Sequence, residues 1–246
     1  MILDIDVGNT AVKWRLSEQG VASRPAQRIA LGQLDQLSQG LSGESVTDVR
    51  ISCVAADSVK QKLTGWVQDN WGIRARFAQT EKYFDGLTVC YQNPARLGVD
   101  RWLAMLAARR RQAGGQCIID CGSAITVDLV SAAGQHLGGY IVPGLQMMRG
   151  VLLGATGQIR MDTQQPDYQM AWGQDTDEAV NFGIFRTSVS FIESILLELQ
   201  QSGQADSIYM TGGDAQCIRQ VLALRQKQAL ILVPDLVLDG LAVALP

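Results

Sequence analysis

The chain has 246 residues, 47% of them hydrophobic and 18% charged, with a formal net charge of −3. That much apolar material builds a sizeable core and excludes a disordered chain, while a sequence pI near 5.2 excludes a nucleic-acid partner held through a broad basic surface. A single histidine, His136, leaves almost nothing for Ser-His-Asp triads or His-rich metal sites, so acid–base chemistry has to rest on carboxylates, and His136 itself reads as a surface or turn residue.

In chain order, residues 1–16 read as strand, turn, strand: ILDID, VGNT, then AVKWRL, with Gly8-Asn9 as turn chemistry. Residues 28–42 have helical spacing, 49–54 (VRISCV) are a buried strand, 59–71 are helical and 73–78 (IRARFA) are a strand of alternating polarity. Residues 97–111, LGVDRWLAMLAARRR, form the clearest helix of the first half. Its Arg109-Arg110-Arg111 suits the negative end of a helix dipole rather than a binding patch. Next, two strands flank a Gly122-Ser123 turn, and a third, HLGGYIVPG, follows Ala133-Gly134. Helices are expected over 145–155, 178–200 and 215–224, a strand and glycine turn over 207–215 (SIYMTGGDA), and a strand with a short apolar helix over 231–245.

Five cysteines, Cys53, Cys90, Cys117, Cys121 and Cys217, lack zinc or redox spacing, and mostly sit in apolar runs. They read as buried free thiols. With no basic leader before MILDIDVG and no long apolar span, they predict a reducing cytoplasm and no membrane partner.

The first turn, Asp6-Val7-Gly8-Asn9-Thr10-Ala11, has a counterpart in Asp120-Cys121-Gly122-Ser123-Ala124-Ile125. Asp-x-Gly-(small polar) at a strand–turn–strand junction thus heads both halves, which suggests a duplicated domain with a cleft between the copies. Consecutive backbone amides at such a turn bind anions, and glycine lets a ligand approach closely. Asn9, Thr10 and Ser123 add hydroxyl or amide donors. An aspartate ahead of a phosphate turn makes sense when a cation lies between them, so Asp6 reads as a Mg²⁺ carboxylate acting through water, with Lys13 adding positive charge. The plainer reading is a hairpin capped by Asp4 or Asp6. A third turn, Met210-Thr211-Gly212-Gly213-Asp214-Ala215, runs from strand to helix; its amides suit an anion or nucleotide, or merely a helix capped by Asp214. Two glycine hairpins and a glycine-rich strand–helix turn resemble the actin, heat-shock chaperone and sugar-kinase superfamily, in which two ribonuclease-H-like domains clasp ATP. That resemblance implies an α/β fold with mixed sheets flanked by helices, divided into residues 1–112 and 113–246.

The segment Tyr91-Gln92-Asn93-Pro94-Ala95-Arg96-Leu97-Gly98-Val99-Asp100-Arg101-Trp102 narrows this further. An acid in a first helical turn is stabilising on its own, and Arg101 could be an ordinary ion-pair partner. Equally, Arg101 can grip a substrate carboxylate and Asp100 can accept a hydroxyl proton during phosphoryl transfer. With DVGNTAVKW at 6–14, DCGSAITVD at 120–128, GGYIVPG at 138–144 and TGGDA at 211–215, the chain resembles the type III pantothenate kinases. These make 4'-phosphopantothenate from pantothenate and ATP, the first step of coenzyme A synthesis.

The resemblance implies roles for particular residues. Asp6, Val7, Gly8, Asn9, Thr10, Ala11, Val12 and Lys13 would form the first phosphate loop, with Asp6 near Mg²⁺. Tyr91, Gly98, Val99, Asp100, Arg101 and Thr176 would bind pantothenate, with Asp100 as catalytic base. Asp120 would hold a monovalent cation, K⁺ or NH₄⁺, while Ser123, Gly212 and Gly213 would contact ATP. Serine at 123 replaces the family's usual threonine and keeps its hydroxyl. A homodimer is implied. A non-catalytic transcriptional activator of the same fold is the alternative, which retention of Asp6, Asp100, Arg101 and Asp120 disfavours.

Overall fold

The structure is a computed structural model that describes residues 1–18, 21–41, 43–155, 167–224 and 229–246. In chain order the strands and helices are β1 (Ile2–Val7), β2 (Ala11–Glu18), β3 (Val21–Ala22), β4 (Gln27–Ala30), α1 (Leu37–Gly40), β5 (Asp48–Cys53), α2 (Asp57–Trp71) and β6 (Ala75–Phe77). There follow β7 (Tyr83–Phe84), β8 (Leu87–Thr88), α3 (Val99–Arg111), β9 (Gln116–Cys121), β10 (Ala124–Val130), β11 (His136–Pro143) and α4 (Leu145–Ala155). The last elements are α5 (Thr176–Ser202), β12 (Ser207–Thr211), α6 (Ala215–Ala223), β13 (Leu230–Leu232) and α7 (Leu236–Ala244).

These form two compact units, one of residues 1–113, 134–137 and 235–246, the other of 114–133 and 138–234. The first sheet has the order β3-β2-β1-β5-β6, and the second β11-β10-β9-β12-β13. In each, the leading strand pairs antiparallel with the next strand in sequence and parallel with a later one: β1 with β2 and β5, β9 with β10 and β12. The duplication suggested by the paired Asp-x-Gly turns is therefore present in the strand order. Both turns sit at the same topological place, where the leading strand doubles back.

Hydrophobic burial explains each sheet. Leu3, Ile5, Val7, Val12, Val49 and Ile51 are fully enclosed in the first core, with Leu63 and Val67 of α2 covering them. In the second, Cys117, Ile119, Ile208 and Met210 pack with Phe185, Val189 and Ile192 of α5. Helix α5 is long and apolar enough to cross a membrane by length and composition, but half of that stretch is buried within its own unit. It serves as a core helix there.

The terminal helix α7 belongs to the first unit because it lies on α3. Gly240 makes this possible: a Cβ there would overlap the carbonyl oxygen of Leu103. Arg50 and Arg76 hold the end of the chain, donating to the carbonyls of Leu245 and Pro246 at 3.2 and 3.3 Å.

The helix expected over 28–42 is corrected. Residues 27–30 are strand β4, paired antiparallel with β2 from Ala11↔Ala30 to Trp14↔Gln27, and only 31–40 turn helically. Unpaired backbone along β2 outweighed weak helical periodicity. A small hairpin, β7–β8, also escaped the periodicity reading. Its Asp85-Gly86 turn has positive φ at both residues (49° and 75°), the two-residue geometry that Asp-Gly favours. Arg110 forks onto Asp85 at 2.6 and 2.9 Å, and Arg111 meets Asp239 at 2.6 Å. Arg110 and Arg111 at the end of α3 are thus engaged in ion pairs within the unit.

Candidate active site

In the first unit, Asp6 stands near the end of β1, in register with Lys13 on β2 and Ser52 on β5. The residue is only partly covered, yet its Oδ1 is enclosed and has no hydrogen-bond partner. Burial, with repulsion from Asp100, pushes its carboxyl up from 3.8 to about 7; Ser52 and Lys13 pull the other way. The Ser52 hydroxyl lies close enough to favour the charged form, although it makes no well-formed hydrogen bond. An enclosed carboxylate oxygen without a partner fits a cation such as Mg²⁺.

The turn itself closes through Gly8 N donating to Ala11 O at 3.0 Å. Among the described residues neither Asn9 nor Thr10 has positive φ, and Gly8 does not either. A Cβ on Gly8 would meet only the Ala11 oxygen, at 3.4 Å, an ordinary contact. The fold therefore does not require glycine at position 8, whereas a ligand lying on the turn would. Asn9 and Thr10 are exposed, but Val7 and Val12 are fully buried, so these two can meet a ligand through backbone alone. The Lys13 ammonium is 2.7 Å from Asp235, a carboxylate that sequence reasoning missed. Asp4 is structural: fully enclosed, it bridges Arg15 Nε at 3.2 Å and Arg50 Nε at 2.7 Å.

Asp100 lies in the first turn of α3, after Gly98. A Cβ on Gly98 would overlap Asp100 Oδ1, so the glycine gives the carboxylate room to fold back and accept the Arg101 amide at 2.8 Å. Arg101 is buried and donates from Nη1 to the Tyr91 hydroxyl at 3.3 Å. Val99 is mostly buried beside them. The preceding segment is pinned: Lys82 Nζ donates to the carbonyls of Val89 and Tyr91 at 2.7 and 3.0 Å, and Asn93 caps the Pro94 turn by accepting from Ala95 N at 3.1 Å. His136 is a second correction. It is 2% exposed rather than superficial, stacked on Tyr91 and 3.5 Å from Cys90 Sγ. Apolar periodicity gives no signal for a ring buried by contact with another loop.

In the second unit, Asp120 stands near the end of β9 within a glycine cradle. Gly122 approaches its Oδ1, where a Cβ would lie at 3.0 Å, and a Cβ on Gly212 (φ 93°) would overlap it. Gly144 is packed likewise on the Gly122-Ser123 backbone and donates its amide to Ser123 O at 3.0 Å. Asp214 N donates to Cys121 O at 3.0 Å, tying the Gly212-Gly213 turn to the Asp120 turn. No cluster of three acidic, His or Cys ligands exists among the described residues. The Asp120 carboxylate thus faces closely packed glycine backbone rather than a cluster of acidic ligands. Thr176 is exposed at the first residue of α5, where Asp175 caps the helix by accepting from Glu178 N at 2.8 Å.

Two sheets of repeated order, each with an Asp-x-Gly turn at its doubling-back point, define the actin-like ATPase and sugar-kinase class. The (R)-2-hydroxyglutaryl-CoA dehydratase component A of Acidaminococcus fermentans shares this fold at 17% identity, with a TM-score of 0.54 over 99% of this chain and 95% of that one. A Campylobacter jejuni protein assigned to a Baf family of transcriptional activators is 25% identical, with a TM-score of 0.59 over 98% of this chain and 95% of that one. In sequence, the type III pantothenate kinase of Chromohalobacter salexigens is 38% identical over 251 residues, spanning 100% of this chain and 88% of the relative. The family profile described as type III pantothenate kinase matches residues 2–198. The chain belongs to the type III pantothenate kinase family.

Proposed function

We propose that this chain phosphorylates the primary hydroxyl of pantothenate from ATP, its family's reaction in coenzyme A synthesis, and that Asp100 is the base. The chain is a kinase by family. The observation that carries the residue assignment is the α3 start, where the Asp100 carboxylate accepts the Arg101 backbone amide, the Arg101 side chain reaches Tyr91, and Asp6 lies within electrostatic reach of Asp100. Arg101 and Tyr91 hold the polar groups of pantothenate, with Gly98, Val99 and Thr176 lining its site. Asp100 orients the hydroxyl and takes its proton; phosphoryl transfer needs mainly positioning and charge stabilisation, so an ordinary aspartate suffices. Gly8, Asn9 and Thr10, with the backbone of Val7, Ala11 and Val12, bind ATP phosphates alongside Lys13, and Ser123, Gly212 and Gly213 make further ATP contacts.

Asp6 would hold Mg²⁺ through water, and Asp120 the K⁺ or NH₄⁺ ion; bound there, these cations neutralise phosphate charge. Units corresponding to residues 1–112 and 113–246 would be the two ribonuclease-H-like domains, α7 returning to the first. The protein would work in the cytoplasm as a homodimer, without nucleic-acid or membrane partners. Exposed Tyr140 and Ile141 on β11 and Met147 and Val151 on α4 support a self-association face. The regulator reading is not favoured, because every carboxylate the chemistry needs is kept.

The deciding assay is ADP release with ATP, Mg²⁺ and K⁺, with and without pantothenate. Pantothenate-dependent turnover that falls when Na⁺ replaces K⁺ is expected. Turnover indifferent to pantothenate would overturn the substrate assignment, and indifference to K⁺ would remove Asp120 from the cation role.

A further inference from the structure

Residues 134–137 pack with the first unit although the chain on either side belongs to the second. Within that unit they are docked by backbone as well as side chains. Thr88 N donates to Gly134 O at 2.9 Å, and Gln135 forms a parallel bridge with Thr88. Gly134 has φ 80°, and a Cβ on it would overlap the Gly86 carbonyl, so only glycine lets the segment lie this close to the β7–β8 hairpin. The hairpin is itself clamped to α3 by the Arg110–Asp85 fork.

The docked segment carries His136 to a place with a consequence for Tyr91. The two rings stack with centroids 6.0 Å apart and planes 18° from parallel. The Tyr91 hydroxyl then receives Arg101 Nη1 at 3.3 Å. The imidazole is enclosed, His136 being 2% exposed. Cys90 Sγ at 3.5 Å from Nδ1 fixes the ring from the neighbouring residue of the same loop. Tyr91 itself is only partly covered and follows an irregular stretch, so one face of its ring needs a rigid backing to keep the phenol aimed at Arg101.

We infer that His136 is a positioning residue for pantothenate recognition, its buried ring backing Tyr91 so that Tyr91 holds the Arg101 guanidinium in its substrate-binding pose. This rests on the assignment of Tyr91 and Arg101 to the pantothenate site. Offset ring stacking is a modest interaction, so its loss should act on one binding constant rather than abolish activity.

The test compares His136→Phe, which keeps a ring, with His136→Leu, which fills similar space without one, alongside Tyr91→Ala and Arg101→Lys. In His136→Leu the KM for pantothenate should rise roughly three- to tenfold, with kcat and the KM for ATP near wild type. His136→Phe should restore most of the pantothenate KM. Equal behaviour of the Phe and Leu variants, or parallel changes in the ATP KM, would overturn the positioning role and leave His136 as packing. If Tyr91→Ala and Arg101→Lys leave the pantothenate KM unchanged, the site assignment itself fails. If they raise it while His136→Leu does not, only the present inference fails.

Discussion

Gly212 lies over the carboxylate of Asp120 so closely that a side chain at 212 would occupy the position of Asp120 Oδ1. The same glycine has φ 93°, which a residue with a Cβ adopts at a cost of about 1–3 kcal/mol. Gly212→Ala therefore meets both strain and overlap. The melting temperature should fall by about 3–10 °C, and any K⁺ stimulation should be lost along with it. An alanine variant that keeps wild-type K⁺ stimulation would show that the Asp120 carboxylate is not the cation's anchor.

Gly8 contrasts with Gly212, since nothing in the fold demands it. A Cβ there makes only a 3.4 Å contact with Ala11 O. Gly8→Ala should melt within about 2 °C of wild type, as surface substitutions without special backbone needs do, yet raise the KM for ATP severalfold by obstructing phosphate approach. Thermal denaturation and ATP saturation curves on one sample separate the two effects. Unchanged ATP affinity would remove Gly8 from the phosphate loop.

Asp100→Asn keeps the shape of the α3 start and removes the proton acceptor. Turnover should drop about 10²-fold or more, the scale of general-base catalysis, while ATP binding by calorimetry stays near wild type. Near-normal turnover would take Asp100 out of that role.

The raised Asp6 carboxyl gives a pH dependence of definite sign. Its folded value, about 7, lies above the ordinary 3.8, so the folded chain keeps a proton that the unfolded chain has released. Stability of the metal-free protein should thus fall as pH rises from about 4 to about 7, then level off. Urea denaturation across that range is the measurement, and Asp6→Asn should flatten the slope. If the slope survives that substitution, another group produces it.

Asp4 makes a purely structural prediction. Removing it strands the buried Arg50 guanidinium and leaves Arg15 with Asp239 alone, at 2.6 Å. Asp4→Ala should cost about 3–5 kcal/mol of unfolding free energy, without a selective change in either substrate's KM at temperatures where the variant is folded.

Local chemistry alone marked out much of this protein. The alternation of ILDID and CIID, the glycines that interrupt them and the acid–base pair at the α3 start are features of adjacent residues, and adjacency is what sequence displays. The repeated Asp-x-Gly turn was legible for the same reason, since each half carries its own copy. Tertiary structure decided what depends on distant partners. Residues 27–30 became a strand because β2 had an edge to pair, and α7 joined the first unit because Gly240 fits against Leu103. Lys13 met Asp235 across more than two hundred residues, and His136 was buried by docking on Thr88 and Tyr91. Hydrogen bonding and packing act on distance in space, and a chain's periodicity carries no record of which distant residue will arrive there.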